Sequence, residues 1–495
     1  MKKIYFIIPF IFIILGTEAQ TPDTKKEDIR ELKQKIRKQG DDLKLLEERQ
    51  VSKRNIEKKS SENWEYGNAP EWRWSEDYGE SGWDNGKDVV IDANGKYYVA
   101  GSFSGEISYR DYFYSASGLR DGFVAKFDNN FNLQWFSQIE ANAHERVDLK
   151  GIYIDANGNL YSTGYFSGSI NPGGTTLTGD NEQNFLLLKL NGSGEITFAK
   201  THDSRRSGKT VLTDSDGNIY ALTDHLILKY DASGSLLWEK PEGKVIFNDF
   251  KLIENSLYYV GYVESQTGTI DTASYSMDGN QYSDMFLAKS DKHGNFSFVK
   301  LPKHTSDYGD CRAFDISTDQ NKNLYITANF EDIVLGEDTL SGASEQAIVV
   351  KFDTTGTAKW ATKLPFTGSN FPLTTTADSI TYISYGKTAY KCDSDGNLQI
   401  SGESINSRPN ALNFDNNTGS VITAGNKDGA LYFSALNNSL DETENIEFTS
   451  NSSSAEIAGM VSDEQGNIYV LGTGYNTIDY HGETLSEGVF VAKHD

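Results

Sequence analysis

Short runs of alternating hydrophobic and polar residues fill most of residues 63–495, and turns rich in Asp, Asn and Gly separate them. Two turn patterns recur in a fixed order. The first is Asp-x-x-Gly-Asn-x-Tyr, as in residues 155–161, and the second is Lys-x-Asp-x-x-Gly-x-x-x-Trp, as in residues 351–360 and 229–238. Alternation with a period of two predicts strands, and Asp with Gly predicts tight hairpin turns. Each pattern therefore predicts one β-hairpin.

The hairpins repeat along the chain as ordered pairs. The first pattern begins at Asp92, Asp155, Asp214, Asp319 and Asp463, and the second is centred on Lys126, Lys189, Lys229, Lys289, Lys351, Lys391, Ser434 and Lys493. Two hairpins give four strands, and eight units of about 54 residues match the size of a four-stranded propeller blade. We therefore predict an all-β fold, a β-propeller that favours eight blades and leaves seven as the alternative.

The two ends of the repeat region complement each other. The final unit stops at Phe490–His494, before the Gly and the returning aromatic strand of the second pattern. The missing strand occurs at the front, because Trp72 precedes Asp92 by the same spacing as Trp135 precedes Asp155. We predict that the segment around Trp72 supplies the fourth strand of the last blade, which removes an open sheet edge.

The first 62 residues have a different character. Lys2 and Lys3 precede an apolar run, and small residues at Gly16–Ala19 predict a secretory signal peptide over residues 1–19, cleaved before Gln20. Residues 20–62 are highly charged, and Ile29, Leu32, Ile36, Leu43 and Leu46 follow coiled-coil spacing. This spacing predicts a short, weak helical segment, and residues 24–60 could mediate weak oligomerisation or act as a solvated spacer.

Charge divides the chain in the same way. Residues 1–60 carry 15 Lys and Arg against 10 Asp and Glu, whereas the remainder carries 31 against 61, a net charge of −30. A strongly acidic body argues against nucleic acid as a partner. No segment after the signal peptide has the length and hydrophobicity of a membrane span, so we expect no transmembrane segment in the mature chain.

The repeated residues resemble the SBBP-type β-propeller repeats of secreted bacterial proteins. That family combines a D-x-x-G-N-x-Y strand with D-x-F-[VL]-x-K-x-D-x-x-G-x-x-x-W, and residues 121–135 and 284–294 follow the second part, although Phe131 replaces the turn Gly. The resemblance covers nearly all of residues 63–495. It implies a secreted repeat domain in the periplasm, at the outer-membrane surface or outside the cell, and the family name implies seven blades.

Residues with catalytic potential form no recognisable motif. Asp214 with Asp216, and Asp393 with Asp395, resemble the start of a calcium loop but lack its later ligands, so hairpin turns explain them. The seven His residues form no metal-binding pair, and we expect Cys311 and Cys392 to be buried free thiols. We assign no catalytic, cofactor-binding or metal-binding residue from the sequence, and we predict no cofactor.

Aromatic residues concentrate in two places, residues 109–114 and 64–83, which could form a sugar- or protein-binding platform or serve the fold. We favour the structural interpretation. Our first functional hypothesis is a secreted non-catalytic β-propeller that binds protein or glycan. The alternatives are a carbohydrate-active hydrolase or lyase with carboxylates at the central channel, and an outer-membrane assembly scaffold. An enzyme would bring Asp, Glu, His or Arg from several blades into one pocket.

Overall fold

A computed structural model describes residues 72–74 and 84–495, with gaps at 110–111, 181, 203–205, 241–243, 278–281, 306–309, 337, 343–344, 370, 386–387, 401–407, 416–418, 428–429, 451–454, 464–466, 475–477, 481–482, 486–487 and 495. The predicted signal peptide and the predicted helical segment lie outside the described residues. Residues 70–495 form one compact unit. Where the predicted propeller begins, at residue 63, stays a prediction.

The described residues form strands and a single 3₁₀ turn at Pro172–Gly174, with no α-helix among them. The first half of the chain contains β1 (Trp72–Trp74), β2 (Asn85–Ile91), β3 (Tyr97–Phe103), β4 (Glu106–Tyr109), β5 (Tyr112–Ser115), β6 (Asp121–Phe127), β7 (Leu133–Ile139), β8 (Val147–Ile154), β9 (Leu160–Phe166), β10 (Ser169–Ile170), β11 (Leu177–Thr178), β12 (Asn184–Leu190), β13 (Ile196–Lys200), β14 (Gly208–Thr213), β15 (Ile219–Thr223), β16 (Ile227–Tyr230), β17 (Leu236–Lys240), β18 (Val245–Ile253), β19 (Ser256–Val263), β20 (Thr267–Ile270), β21 (Ala273–Ser276), β22 (Asp284–Asp291) and β23 (Phe296–Lys300).

The second half contains β24 (Lys303–His304), β25 (Arg312–Thr318), β26 (Leu324–Phe330), β27 (Ile333–Leu335), β28 (Asp338–Leu340), β29 (Gln346–Phe352), β30 (Ala358–Thr367), β31 (Leu373–Thr375), β32 (Thr381–Tyr385), β33 (Thr388–Cys392), β34 (Leu398–Ile400), β35 (Arg408–Asp415), β36 (Ser420–Lys427), β37 (Ala430–Leu436), β38 (Glu442–Ser450), β39 (Ala455–Ser462), β40 (Ile468–Gly474), β41 (Ile478–Tyr480), β42 (Glu483–Leu485) and β43 (Gly488–His494).

These strands build one kind of unit. Among the described residues there are seven four-stranded antiparallel sheets and one six-stranded sheet, whose first four strands β35–β38 repeat the same order. The first strand of each sheet lies beside the next sheet in the chain, and β39 of the last sheet lies beside β2 of the first. The all-β propeller prediction is confirmed. The number of blades stays a prediction.

The predicted ring closure is also confirmed. Strand β1 pairs antiparallel with β43, and Trp72, Arg73 and Trp74 lie opposite His494, Lys493 and Ala492. The last sheet therefore has the order β1-β43-β40-β39 and draws strands from both ends of the described chain. Strand β1 is thus the fourth and outermost strand of the last sheet, as β7 is in the first sheet.

The first turn pattern is a side-chain cap. In the third sheet, Asp214 accepts hydrogen bonds from the N–H groups of Asp216 and Asn218 at 3.0 and 2.9 Å. Its second oxygen accepts the hydroxyl of Tyr220 at 3.1 Å. The same Tyr-to-Asp bond forms at Tyr98–Asp92, Tyr161–Asp155 and Tyr325–Asp319. The Asp and Tyr residues of this pattern therefore stabilise the turn and connect it to the strand that follows.

The second turn pattern joins neighbouring sheets. Trp360 of the fifth sheet donates its indole N–H to the Ser394 carbonyl in the next sheet's turn at 2.9 Å, and a Cβ on Gly396 would meet that indole at 2.7 Å. Lys351 donates to the same carbonyl at 3.2 Å, and its ammonium lies 5.2 Å from the Tyr325 ring. Equivalent aromatic contacts occur at Trp135–Gly194, Phe198–Gly234, Trp238–Gly294 and Phe298–Gly356.

The four strands of each sheet alternate in direction, so both repeated turns lie at one end of every sheet. We call that side of the propeller the turn face. The connection between the second and third strands lies at the opposite end, which we call the insert face. The small hairpins β4–β5, β10–β11, β20–β21 and β27–β28 are inserted there. The parts of the repeat that vary therefore share one face.

Two smaller expectations concern the interior and the membrane. Cys311 and Cys392 are buried and free, as predicted. Within the described part of the chain, no helix has the length and hydrophobicity needed to cross a bilayer.

The contact between sheets predicts a position-specific cost of substitution. Gly356 and Gly158 both have positive φ, +74° and +78°, but a Cβ at Gly356 would lie 2.8 Å from Phe298 whereas nothing lies within 4 Å at Gly158. We expect Gly158→Val to cost about 1–2 kcal/mol through backbone strain alone. Gly356→Val should cost at least about 2 kcal/mol more, because it also displaces the aromatic ring. Urea unfolding followed by tryptophan fluorescence measures both, and equal costs would contradict the role of Phe298.

Candidate functional site

Strands β2, β8, β14, β18, β25, β31, β35 and β39 are the innermost strands and surround the central channel, since each contacts a neighbouring sheet at its free edge. In seven of these eight the pairing register shifts near the start of the strand. Such β-bulges add one residue and re-aim a side chain. In the first five sheets the extra residues are Lys87, Lys150, Lys209, Asn248 and Phe314.

Just beyond the bulges lies a cluster of charged groups from three sheets. The Lys251 ammonium lies 3.1 Å from Asp249, and Asp315 of the next innermost strand shares a hydrogen bond with Asp249. Burial, followed by the neighbouring Asp249 carboxylate, raises the pKa of Asp315 to about 7, although Lys251 opposes this shift. The raised pKa favours the protonated form of Asp315, which is the form that can donate the hydrogen bond to Asp249.

Asp88 adds a carboxyl from the first sheet. It accepts the N–H of Val89 at 2.9 Å and the N–H of Ile152, in the next innermost strand, at 2.9 Å. Burial nevertheless raises the pKa of Asp88 to about 6, because it outweighs these hydrogen bonds and the attraction of Lys251. Asp88 thus ties two innermost strands together and titrates above the usual range of a carboxyl group.

Lys251 holds the cluster together electrostatically. Burial disfavours its ammonium, but Asp249, Asp315 and Asp88 together outweigh that effect and raise the pKa of Lys251. Protein atoms crowd these groups, yet 42% of the Lys251 side chain and 20% of the Asp249 side chain stay exposed to water. A protonated carboxyl, a carboxylate and an ammonium in a water-accessible channel are able to hold and exchange protons.

Closer to the insert face, hydrogen bonds join the innermost strands directly. Lys209 donates to the Phe247 carbonyl at 2.9 Å and pairs with Asp224 at 2.5 Å. Asn248 donates to the Ala313 carbonyl of the following sheet at 2.7 Å. The bulge residues therefore fix the spacing of the third, fourth and fifth sheets around the channel.

Asp148 is the centre of a second polar network, at the end of the channel that lies on the insert face. It pairs with Arg120 at 2.8 Å and accepts the Ser102 hydroxyl at 2.8 Å, and the Tyr165 hydroxyl lies nearby. Burial alone would raise its pKa, but these three partners outweigh burial and lower the pKa of Asp148. The Lys150 ammonium lies 5.4 Å from the centre of the Tyr165 ring.

The two Asp pairs that resemble the start of a calcium loop, Asp214 with Asp216 and Asp393 with Asp395, lie in the repeated turns and away from the channel. Asp214 is satisfied by Asn218 and Tyr220, and Asp393 caps its own turn through Asp395 and Asn397. Among the described residues, no group of three or more His, Cys, Asp or Glu side chains is arranged to hold a metal ion.

The described His residues show structural contacts. His304 and Asp284 lie 3.1 Å apart and both side chains are fully buried, away from any water-accessible surface. Burial followed by the nearby Asp284 carboxylate raises the pKa of Cys311 well above its ordinary value. Cys311 is therefore a poor candidate for a reactive thiol, because its thiolate form is strongly disfavoured there.

The aromatic segment at residues 109–114 divides between the two interpretations. Tyr109 is buried, and the Tyr114 ring stacks on Phe136 with centroids 3.9 Å apart. By contrast, Tyr112 is 51% exposed and Phe113 is 56% exposed on the inserted hairpin β4–β5. Residues 64–83 lie outside the described residues, apart from β1.

The charged residues of the channel were not predicted from the sequence, although a register signal was present. The bulge residue stands five positions before the Asp of the first turn pattern, which selects Lys87, Lys150 and Lys209. The residue after the bulge stands four positions before that Asp, and it is Asp88 in the first sheet and Asp315 in the fifth. Asp249 and Lys251 escape this rule, since their unit lacks the turn Asp.

The raised carboxyl pKa values predict how stability depends on pH. Because Asp88 and Asp315 titrate near 6 and 7 when folded and near 3.8 when unfolded, the folded protein binds more protons between these limits. Their contribution to the free energy of unfolding therefore falls as pH rises from about 4 to 7. We expect Asp315→Asn to stabilise the protein by on the order of 2 kcal/mol at pH 8 and to have little effect at pH 4.

Urea unfolding at both pH values measures this difference. Asp216→Asn is the matched control, because that side chain is 72% exposed on the turn face. A loss of stability in Asp315→Asn at pH 8 would contradict the assigned pKa shift.

Comparisons with known proteins leave the family open and support the fold. No protein family and no curated protein matches the chain. The C-terminal WD40 domain of Sif2 is similar in structure, with a TM-score of 0.50 and 10% identity over 84% of this chain and 99% of that domain. The Dos1 propeller has a TM-score of 0.49 and 13% identity over 86% of this chain and 95% of that chain. Virginiamycin B lyase from Staphylococcus aureus has a TM-score of 0.41 and 13% identity over 70% of this chain and 94% of that chain. At these identities the likeness extends to the β-propeller fold alone.

Proposed function

We propose that this chain is a secreted, non-catalytic β-propeller that binds a protein or glycan through its insert face, in the periplasm or at the cell surface. The observation that carries the proposal is the exposed aromatic pair Tyr112 and Phe113 on the β4–β5 hairpin. Large aromatic side chains exposed to water are unfavourable unless a partner covers them, and they are enriched at binding hot spots.

Two further exposed side chains occur on the same face. Leu119 is 56% exposed and Tyr282 is 74% exposed, and both lie in connections between the second and third strands of their sheets. The remaining large hydrophobic residues found exposed in the described chain, Leu236, Leu237 and Ile400, lie on outermost strands. The resemblance to SBBP-type repeats supports the proposed secretion, and the predicted signal peptide supports it independently.

A glycan array and a crosslinking screen with the full chain would identify a ligand, and paired variants would then locate its site. We expect Tyr112→Ser with Phe113→Ser to weaken binding about tenfold or more, because each aromatic anchor contributes on the order of 1–2 kcal/mol. Leu236→Ser with Leu237→Ser is the matched control on an outermost strand. Equal losses in the two double variants, or full binding by the aromatic variant, would contradict the proposed face.

The channel carboxyls favour a carbohydrate-active hydrolase or lyase as the second candidate. Asp88, Asp249 and Asp315 come from three sheets, which is the convergence expected of an enzyme. Asp249 and Asp315 share a hydrogen bond, so they lie closer than the roughly 5–9.5 Å by which hydrolase carboxyls straddle a glycosidic bond. In an enzyme Asp315 would therefore act as the proton donor, and Asp88 would supply the second carboxyl.

Product release from a panel of neutral and acidic polysaccharides tests this candidate. An enzyme should release reducing ends or unsaturated products, and Asp315→Asn should slow release about 100-fold or more, since a positioned acid contributes about that factor. Asp216→Asn on the turn face should retain full activity. If Asp315→Asn and the original chain release product at equal rates, the channel is not the active site.

A further inference from the structure

Hairpins on the insert face are joined to the preceding sheet by strand pairing. Strand β24, which follows the outermost strand of the fourth sheet, pairs with β27, the first strand of the hairpin in the fifth sheet. Strand β38, the fourth strand of the seventh sheet, pairs with β41 of the hairpin β41–β42. Ala141, which follows β7, pairs with Ile170 of β10. In these three cases an extended segment occupies the outer edge of the first hairpin strand.

Strand β4 has the same kind of edge, but among the described residues it pairs only with β5. The N–H of Ala116 donates to the Gly105 carbonyl at 2.7 Å. Backbone groups of alternate residues point to the partner strand, so those of Ile107 also point to β5. The backbone groups of Glu106 and Ser108 therefore point away from β5, along the outer edge of β4.

The hairpin β27–β28 shows what such an edge binds. Both hairpins close over two residues, and both first strands bury an isoleucine, Ile107 in β4 and Ile333 in β27. The next residue is Ser108 in β4 and Val334 in β27, and Val334 lies opposite Lys303 of β24. A short strand thus fills, in the fifth sheet, the position that lies beside Ser108 in the first.

Charge at this edge favours a basic strand. Glu106 is exposed at the start of β4 and precedes the buried isoleucine, as Asp332 does in the fifth sheet. The strand that lies beside Asp332 there is Lys303–His304. The whole chain carries a net charge of −25, which attracts a positively charged segment further.

The exposed Phe113 ring lies within reach of an added strand. Phe113 is opposite Ser108 in the hairpin, so both belong to the same face. A strand added to β4 would run about 10 Å from β5, because neighbouring strands are about 4.8 Å apart. A Lys or Arg side chain and an aromatic ring together span that distance, and they attract each other when they meet.

We propose that the outer edge of β4 binds an extended, basic segment of a partner protein, which adds a strand to the hairpin β4–β5. In this mode of recognition backbone hydrogen bonds, here at Glu106 and Ser108, supply affinity, and alternate side chains supply specificity. The inference rests on the proposed binding through the insert face, and it names the class of partner as a protein strand.

A capped, fluorescently labelled peptide with the sequence of residues 301–306 is the probe, because it contains β24. We expect the full chain to bind it saturably in fluorescence anisotropy. Ser108→Pro removes an N–H from the outer edge of β4 and should weaken binding about tenfold or more. Ser115→Pro is the matched control, because its N–H points to the opposite edge of the same hairpin.

Two N-methylated peptides provide a second test that leaves the protein unchanged. The N–H of Thr305 donates to the hairpin carbonyl of Asp332 at 3.1 Å, whereas the N–H of His304 points away from β27. N-methylation at the Thr305 position should therefore weaken binding about tenfold, and N-methylation at the His304 position should leave it unchanged. This comparison decides the matter even if Ser108→Pro does not fold, which thermal unfolding verifies.

Three results would overturn the inference. The first is absence of peptide binding, and the second is equal binding by the two methylated peptides. The third is slow hydrogen exchange of the Ser108 amide in the free chain, as slow as that of Val334, because another part of the chain would then cover the edge. If the peptide does not bind but Tyr112→Ser with Phe113→Ser weakens binding of a glycan, the proposed face stands and strand addition is wrong.

Discussion

The propeller depends on one contact, the aromatic side chain that lies on the turn glycine of the next sheet. A Cβ on Gly194 or Gly396 would meet the Trp135 or Trp360 indole at 2.7 Å. The positive φ of these glycines makes the turn, and their missing side chain leaves room for the ring. One residue therefore satisfies the geometry of its own hairpin and the packing between two sheets. Contacts of this kind join five successive pairs of sheets, from the first sheet to the sixth, and preserve the repeat along that part of the ring.

Much of this architecture could be predicted because it is local. Asp214 and Tyr220 are six residues apart, and their hydrogen bond is implicit in a turn followed by a strand. Ring closure was predictable because the last unit lacks a strand that the segment at Trp72 restores. The lysine of the second turn was harder to interpret. Lys351 reaches the Ser394 carbonyl in the next sheet, a contact that becomes visible only when the sheets are placed side by side.

The channel could not be predicted from the patterns that revealed the fold. Asp88, Asp249 and Asp315 belong to different sheets, and no spacing within one repeat brings them together. Their unusual protonation arises from burial and from each other, which are properties of the closed ring. The bulge residues Lys87 and Lys150 likewise depend on register shifts in the innermost strands of two sheets. The residues that build the scaffold thus recur in many repeats, whereas the residues that line the channel do not recur and leave no repeated pattern in the sequence.

The closing sheet has a kinetic consequence. Strands β1 and β43 come from opposite ends of the described chain, so their pairing closes the longest loop in the fold. Closing long loops is entropically costly and slows folding, so this pairing is expected to follow the formation of the local hairpins. Until it occurs, β43 presents an unpaired strand edge to other chains. The interval before closure is when the protein is most vulnerable to joining a second copy of itself edge to edge.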